Sequence, residues 1–227
     1  MDFATKKKLR DYLFQLISDN KQQKFLQTIA SRTRYITVVL EDLYQSHNAS
    51  AVLRTCDCFG VQDIHIIENA HRFKVSHDIV RGASKWLSIY KYNRPQVNNT
   101  EICLKSLKDK GYKIIGTTPH EDDTNLEELE LTAPIALVFG TEKKGLSADA
   151  RKWCDGYMKV PMYGFTESLN ISVCAGICMH HLIWKLRHSN IQWQIPLEEQ
   201  LDIMIEWAFQ VTGNRYQLKA EFFKKLG

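Results

Sequence analysis

Short, continuously apolar segments alternate with helical ones along most of this 227-residue chain, and no other feature limits its fold as much. Ile36-Thr37-Val38-Val39-Leu40 is β-branched and too short for a buried helix, so it reads as a strand covered on both faces. Residues 64–68, 87–92, 112–117, 135–139 and 157–160 read the same way. Helical stretches fall between them, at about 48–59 ended by Gly60, 97–110 ended by Gly111, 147–154 and 168–187. The acidic segment 121–130 reads as a loop or short helix. Such an alternation specifies an α/β fold, a mainly parallel sheet flanked by helices. Outside it, residues 6–30 have helical spacing at Leu9, Leu13, Leu16 and Ile17, and Pro196 opens an amphipathic helix to about 211. The expected organisation is a basic helical extension at 1–34, one α/β domain at 35–190 and a helical extension at 191–227.

The apolar runs are far too short to span a bilayer. No apolar segment long enough for a signal peptide follows Lys6, Lys7 and Lys8, so a soluble cytoplasmic protein is expected. None of the six cysteines forms a Cys-x-x-Cys pair or has histidines at zinc-ligand spacing, so buried thiols and no metal are expected. His180 and His181 are adjacent on a helix, point about 100° apart and make a poor chelating pair. The net charge of +4 is unevenly spread: residues 1–34 carry +5, residues 213–227 carry +3, and the body between them is −4. Basic ends on an acidic body suit a polyanion, although two solvated surface helices would give the same pattern.

In parallel α/β sheets, ligands gather where strand ends lead into helices. Three such loops here are rich in polar and small residues: 45–48, 140–147 and 163–170. The second, with Gly140 and Gly145, comes close to a phosphate-binding P-loop, but Leu146 stands where that motif needs lysine, which weighs against nucleotide hydrolysis. No Gly-x-Gly-x-x-Gly occurs either.

Together the three segments resemble the three motifs of the SpoU branch of the SPOUT methyltransferases. Asn48-Ala49-Ser50-Ala51-Val52-Leu53-Arg54-Thr55 resembles the first. Phe139-Gly140-Thr141-Glu142 with Gly145-Leu146-Ser147 resembles the second, and Val160-Pro161-Met162 with Ser168-Leu169-Asn170-Ile171-Ser172-Val173 the third. The resemblance covers about residues 33–188. It implies a fold with a C-terminal deep trefoil knot, an exception to unknotted topology. It also implies S-adenosyl-L-methionine bound in the knot loops, and a homodimer whose active site is shared across the interface.

By the same resemblance Arg54 is the central catalytic residue, either as general base or as a clamp on a phosphate beside the target ribose. A guanidinium gives up its proton only above about pH 12, which favours the clamp. Asn48 falls where a helix N-cap is expected, and its alternative role is a hydrogen bond to the arginine or the substrate. Glu142, Ser168 and Asn170 complete the implied catalytic set. Thr117, Gly140, Val160, Met162 and Leu169 match the cofactor-binding positions. Arg32 and Arg34 are expected phosphate contacts, and Arg187 lies one residue from the place of a further family arginine.

Only about 34 residues precede the first strand, too few for an additional RNA-binding domain. With Arg54-Thr55-Cys56-Asp57 and Gly82-Ala83-Ser84-Lys85-Trp86, the chain looks most like the enzymes that methylate the ribose 2′-hydroxyl of guanosine-18 in the tRNA D-loop. Competing readings keep the reaction but change the target, to ribosomal RNA or another tRNA position, or keep the fold as an RNA-binding module without catalysis.

Overall fold

The computed structural model describes residues 1–72, 82–119, 124–141 and 144–226. The chain divides into two compact units, residues 33–193 and residues 1–32 with 194–227.

The smaller unit holds helices α1 (Phe3–Phe14), α2 (Asp19–Ile29), α7 (Leu197–Thr212) and α8 (Arg215–Leu226). The single helix expected over 6–30 is two helices. Ser18 takes extended backbone (φ −64°, ψ 150°) and begins α2 through its carbonyl, which accepts from Lys21 N and Gln22 N. The Gln22 side chain donates to the Phe14 and Ile17 carbonyls at 2.9 and 3.1 Å, satisfying acceptors that the end of α1 leaves open. Leu9 and Leu13 are fully buried, and Phe25 packs edge-on against Trp207. Lys6 bridges to Glu198 and Asp202 on the first turns of α7. Both basic ends of the sequence thus fall in this one unit, apart from residues 33 and 34.

The larger unit contains β1 (Ile36–Glu41), α3 (Ser46–Phe59), β2 (Asp63–Ile67), β3 (Ser88–Tyr92), α4 (Asn99–Asp109), β4 (Lys113–Thr117), β5 (Thr124–Asn125), β6 (Ile135–Phe139), α5 (Ala148–Trp153), β7 (Gly156–Lys159) and α6 (Ile171–Arg187). The strands form one sheet in the order β3-β2-β1-β6-β4-β7-β5, and every pairing among the described strands is parallel. Val38 stands between Ile64 and Leu137 in register.

Every residue of β1, β2 and β6 is buried. The period of two along β1 sends Val38 and Leu40 to one face, where α3 and α6 bring Val52, Leu53, Met179 and Leu182. Val39 goes to the other face, against Leu104 and Leu107 of α4 and Ala150 of α5. Each such side chain contributes about 1.5–3 kcal/mol by leaving water. This two-sided core is why the strands read as unbroken apolar runs. Gly60 ends α3 in the left-handed conformation (φ 80°) that glycine accepts without steric cost.

Candidate active site

The loops that follow β1, β4, β6 and β7 meet at the carboxyl edge of the sheet around a cleft of about 550 Å³. Gln45 and Asn48 enter from α3 and its approach, Thr117, Thr118 and Pro119 from the end of β4, and Gly140, Thr141 and Gly145 from the loop after β6. Val160, Met162, Ser168, Leu169, Asn170 and Cys174 complete the wall from the chain between β7 and the start of α6.

The loop after β6 closes on itself. Thr141 N donates to Gly145 O at 2.9 Å and Gly145 N to Thr141 O at 2.8 Å. Gly140 lies so close to this closure that a methyl group on its Cα would overlap the backbone of Gly145 and Leu146. Ser147 then caps α5, its Oγ accepting from Ala150 N at 3.0 Å. Thr117 Oγ1 donates to Val138 O at 2.9 Å, which turns a cleft-lining residue into a brace between β4 and β6.

Sequence reasoning passed over Glu41. It ends β1, is 2 % exposed, and gathers the surrounding donors. Its Oε1 accepts from Ser147 Oγ at 2.6 Å and from Thr100 Oγ1 at 2.7 Å, and its Oε2 accepts from Ser147 N at 3.0 Å. A carboxylate at the end of a buried strand is held by such donors or not tolerated there. The one available signal was its place directly after five apolar-strand residues.

Asn48 is not an N-cap. The helix starts two residues earlier, at Ser46, so Asn48 lies inside the first turn with 4 % exposure. Its Oδ1 accepts from Asn170 Nδ2 at 3.1 Å, and its Nδ2 donates to Gln45 Oε1 at 2.9 Å. Asn170 is the N-cap of α6, where its Oδ1 accepts from Ser172 N at 2.9 Å and Ser172 Oγ at 2.6 Å. The helix expected from 168 begins at Ile171, so Ser168 and Leu169 are loop residues on the cleft. Cys174 follows in the first turn of α6. The Cys178 thiol one turn on donates to its sulfur, holding Cys174 below the usual thiol range and pushing Cys178 up.

The remaining expected residues are not gathered here. Arg54 is exposed on α3, does not line the cleft, and makes no hydrogen bond or ion pair among the described residues. Glu142 lies outside the described residues. Arg32 is 1 % exposed with its guanidinium over the Trp207 ring at 5.6 Å, a core position that leaves no surface for a phosphate. Arg34 pairs with Asp63 at 3.1 Å, and Arg187 is exposed with its guanidinium 5.3 Å from the Trp193 ring centre. Among the described residues no helix is long and apolar enough to cross a membrane, and no cluster of acidic, His or Cys side chains could hold a metal.

The profile of the SpoU rRNA Methylase family matches residues 35–180, which carry every strand of the sheet. The chain belongs to the SpoU methylase family. The tRNA (guanosine(18)-2′-O)-methyltransferase of Borreliella burgdorferi is 38% identical to this family member over 202 residues, 89% of this chain and 90% of that protein. The enzyme of the same name from Thermus thermophilus is 32% identical over 162 residues, 71% of this chain and 81% of its own. In structure, the A. aeolicus TrmH/SpoU tRNA modifying enzyme superposes with a TM-score of 0.76 at 27% identity, covering 85% of this chain and 97% of the other. The mainly parallel sheet flanked by helices is therefore the fold of SpoU family members.

Proposed function

We propose that this protein methylates the ribose 2′-hydroxyl of guanosine-18 in tRNA, using S-adenosyl-L-methionine bound in the cleft at the carboxyl edge of the sheet. The observation that carries this reading is the convergence of the three motif loops on that one cleft, with Asn48 and Asn170 hydrogen-bonded across it. The relatives from Borreliella burgdorferi and Thermus thermophilus are named for this reaction and match along most of the chain.

The cleft fits the cofactor. Its volume lies in the range of small-molecule sites. Val160, Met162 and Leu169 offer an apolar slot, and backbone groups near the Gly140 and Gly145 closure lie at its edge. When bound, S-adenosylmethionine supplies an electrophilic methyl group on a sulfonium. The protein must bring a ribose hydroxyl in line with that methyl and remove its proton. Asn48 and Asn170 fix the mouth of the cleft, and Ser168 and Asn170 offer hydroxyl and amide groups there. Arg54, whose guanidinium has no ion pair among the described residues, holds the phosphate next to the target ribose. Glu142 belongs to the catalytic set by its motif position.

Three further elements belong to the proposal. Residues 35–190 form the SPOUT methyltransferase domain, flanked by helical extensions at 1–34 and 191–227, and the C-terminal part of that domain is tied in a deep trefoil knot. The protein works as a homodimer. Val173, Ile177 and Trp184 are 50 %, 39 % and 57 % exposed along one side of α6, an apolar stripe suited to a second copy, and a partner would bring an Arg54 to a cleft that its own Arg54 does not line. The site of action is the cytoplasm, and the basic helices of the smaller unit, with Arg187, supply phosphate contacts that do not depend on sequence.

The test is methyl transfer from labelled S-adenosylmethionine to an unmodified tRNA transcript, followed by mapping of the product. A 2′-O-methyl group at guanosine-18 is the expected result. Transfer to ribosomal RNA alone would replace the substrate, and cofactor binding without transfer to either RNA would overturn the reading.

A further inference from the structure

The loop between β1 and α3 carries a feature that neither cofactor binding nor the fold explains. Tyr44 is 74 % exposed beside Gln45, which lines the cleft. Leaving an aromatic ring in water forfeits the largest burial gain a side chain can make. The ring is nonetheless held in place. His71 meets it at a right angle, with centroids 5.2 Å apart and planes at 88°, a contact that covers at most one face of Tyr44 and leaves the other clear of it.

The support beneath this pair is built at a cost. Asp42 takes a left-handed backbone conformation (φ 51°), which is unfavourable for a residue with a Cβ. From there its Oδ1 accepts from three successive backbone amides, Asn69 N at 2.7 Å, Ala70 N at 2.9 Å and His71 N at 3.1 Å. The Asp42 carboxylate thus locks the segment that presents His71 onto the loop that presents Tyr44. His71 Nδ1 is enclosed and has no hydrogen-bond partner among the described residues, a second expense of holding the ring in this place. Tyr163 and Phe165 are more exposed still, yet no ring contact or hydrogen bond of their side chains fixes them among the described residues.

We infer that Tyr44, braced by His71 and Asp42, is a stacking platform for a nucleobase of the RNA substrate at the rim of the cleft. Base-on-aromatic stacking suits the single-stranded and looped segments that proteins read in RNA, because unstacked bases there expose a π face. A ring already held in place loses little freedom when the base arrives. Tyr44 is thus a positioning residue for substrate, distinct from the groups that line the cofactor cleft. The inference rests on the reading of the protein as an RNA methyltransferase.

The experiment compares full-length wild type, Tyr44→Ala, Tyr44→Phe and His71→Ala, using an unmodified tRNA transcript as probe. Equilibrium Kd for the transcript, KM, kcat and S-adenosylmethionine affinity are measured for each. Tyr44→Ala should raise Kd and KM for tRNA roughly 5- to 100-fold, the range of one lost base stack. Its kcat at saturating tRNA and its cofactor affinity should stay within about twofold of wild type, as stacking at the rim requires. Tyr44→Phe should match wild type, and His71→Ala should fall between. Unchanged Kd in Tyr44→Ala, or equal losses in Tyr44→Phe and Tyr44→Ala, overturns the stacking role. Wild type that binds the transcript without methylating it removes the functional reading instead, and the Kd ranking still decides the platform. Wild type that binds no RNA overturns both.

Discussion

Asn170 Nδ2 donates to Asn48 Oδ1 at 3.1 Å and joins the first turns of two helices whose residues lie 122 positions apart in sequence. The same Asn170 caps α6 through its other side-chain atom. One side chain therefore performs a local task and a long-range one, and a single substitution separates them. Asn170→Asp keeps the acceptor for Ser172 N and removes the donor to Asn48. The melting temperature should stay within about 2–4 °C, because the cap is retained. Methyl transfer should fall by about tenfold, the loss of one well-placed hydrogen bond at the reacting centre. Thermal melting beside single-turnover kinetics checks both halves, and normal turnover in this variant would remove the bond from the mechanism.

Arg54 offers the opposite separation, since it lies outside its own cleft. Arg54→Ala should lower kcat/KM for tRNA by about two orders of magnitude, the scale of a lost charge-assisted phosphate bond. Its affinity for S-adenosylmethionine, measured by calorimetry, should be unchanged. Arg54→Lys should recover only part of the activity, because an ammonium lacks the planar fork. Cofactor affinity that collapses in Arg54→Ala would contradict the geometry.

Gly140 should tolerate no side chain. Gly140→Ala forces a methyl group into the backbone of Gly145 and Leu146, so the loop must open. Overpacking of this kind costs about 1–3 kcal/mol, and cofactor affinity should weaken at least tenfold. Gly164→Ala is the control, because nothing lies within 4 Å of the added methyl. Calorimetric titration of both variants distinguishes a tight loop from general sensitivity of this edge of the sheet.

Glu41 holds the second loop from below. Glu41→Ala removes the acceptor that Ser147 N, Ser147 Oγ and the buried Thr100 Oγ1 share, and leaves an empty space where the carboxylate was. The expected destabilisation is about 2–4 kcal/mol, or roughly 5–15 °C in melting temperature for a chain of this size. Glu41→Gln keeps an acceptor and should lose less. An alanine variant that melts with wild type would show that the carboxylate carries none of this load.

His65 sets a pH dependence. It is 2 % exposed, stacked on Tyr90 at 4.9 Å with its Nδ1 3.1 Å from the Tyr92 hydroxyl. Burial pushes its pKa down from 6.5 to about 3, with Lys110 adding a smaller repulsion. Between those values the unfolded chain binds a proton that the folded chain refuses, so the stabilisation is complete above pH 6.5 and falls as pH drops toward 3. Urea unfolding at pH 7 and pH 5 should show wild type losing about 2 kcal/mol more than His65→Phe. Parallel losses in the two proteins would be the contrary result.

The sheet was legible because its signal is local. β6 runs over 135–139 as its residues predict, and Gly60 ends α3 at the predicted place, since a buried strand and a left-handed cap are both written in adjacent residues. Signals that depend on distant partners were misread. Asn48 looks like a cap from its neighbours, but the helix begins at Ser46, and the side chain of Asn48 is held by Asn170, 122 residues away. Arg32 passes for a surface charge, because arginine is seldom fully buried and Trp207, which covers it, comes near the end of the chain. The break at residues 15–18 hides within a continuous helical pattern, because Ser18 begins a new helix with its backbone and not with a side-chain cap. Glu41 went unnoticed because its donors come from residues 100 and 147.

The place of β1 in the sheet also bears on how the protein is made. β1 pairs with β2 on one edge and with β6 on the other, and Leu137, which flanks Val38, is synthesised about a hundred residues after it. At about 5–20 residues per second, the most apolar strand of the nascent chain waits several seconds with a bare edge. During that time β1, β2 and β3 can form only a partial sheet, whose open side is a template for mispairing. Newly made chains are thus most vulnerable to aggregation before β6 has left the ribosome, and destabilising changes in β6 should lower soluble yield more than equal changes in the terminal helices.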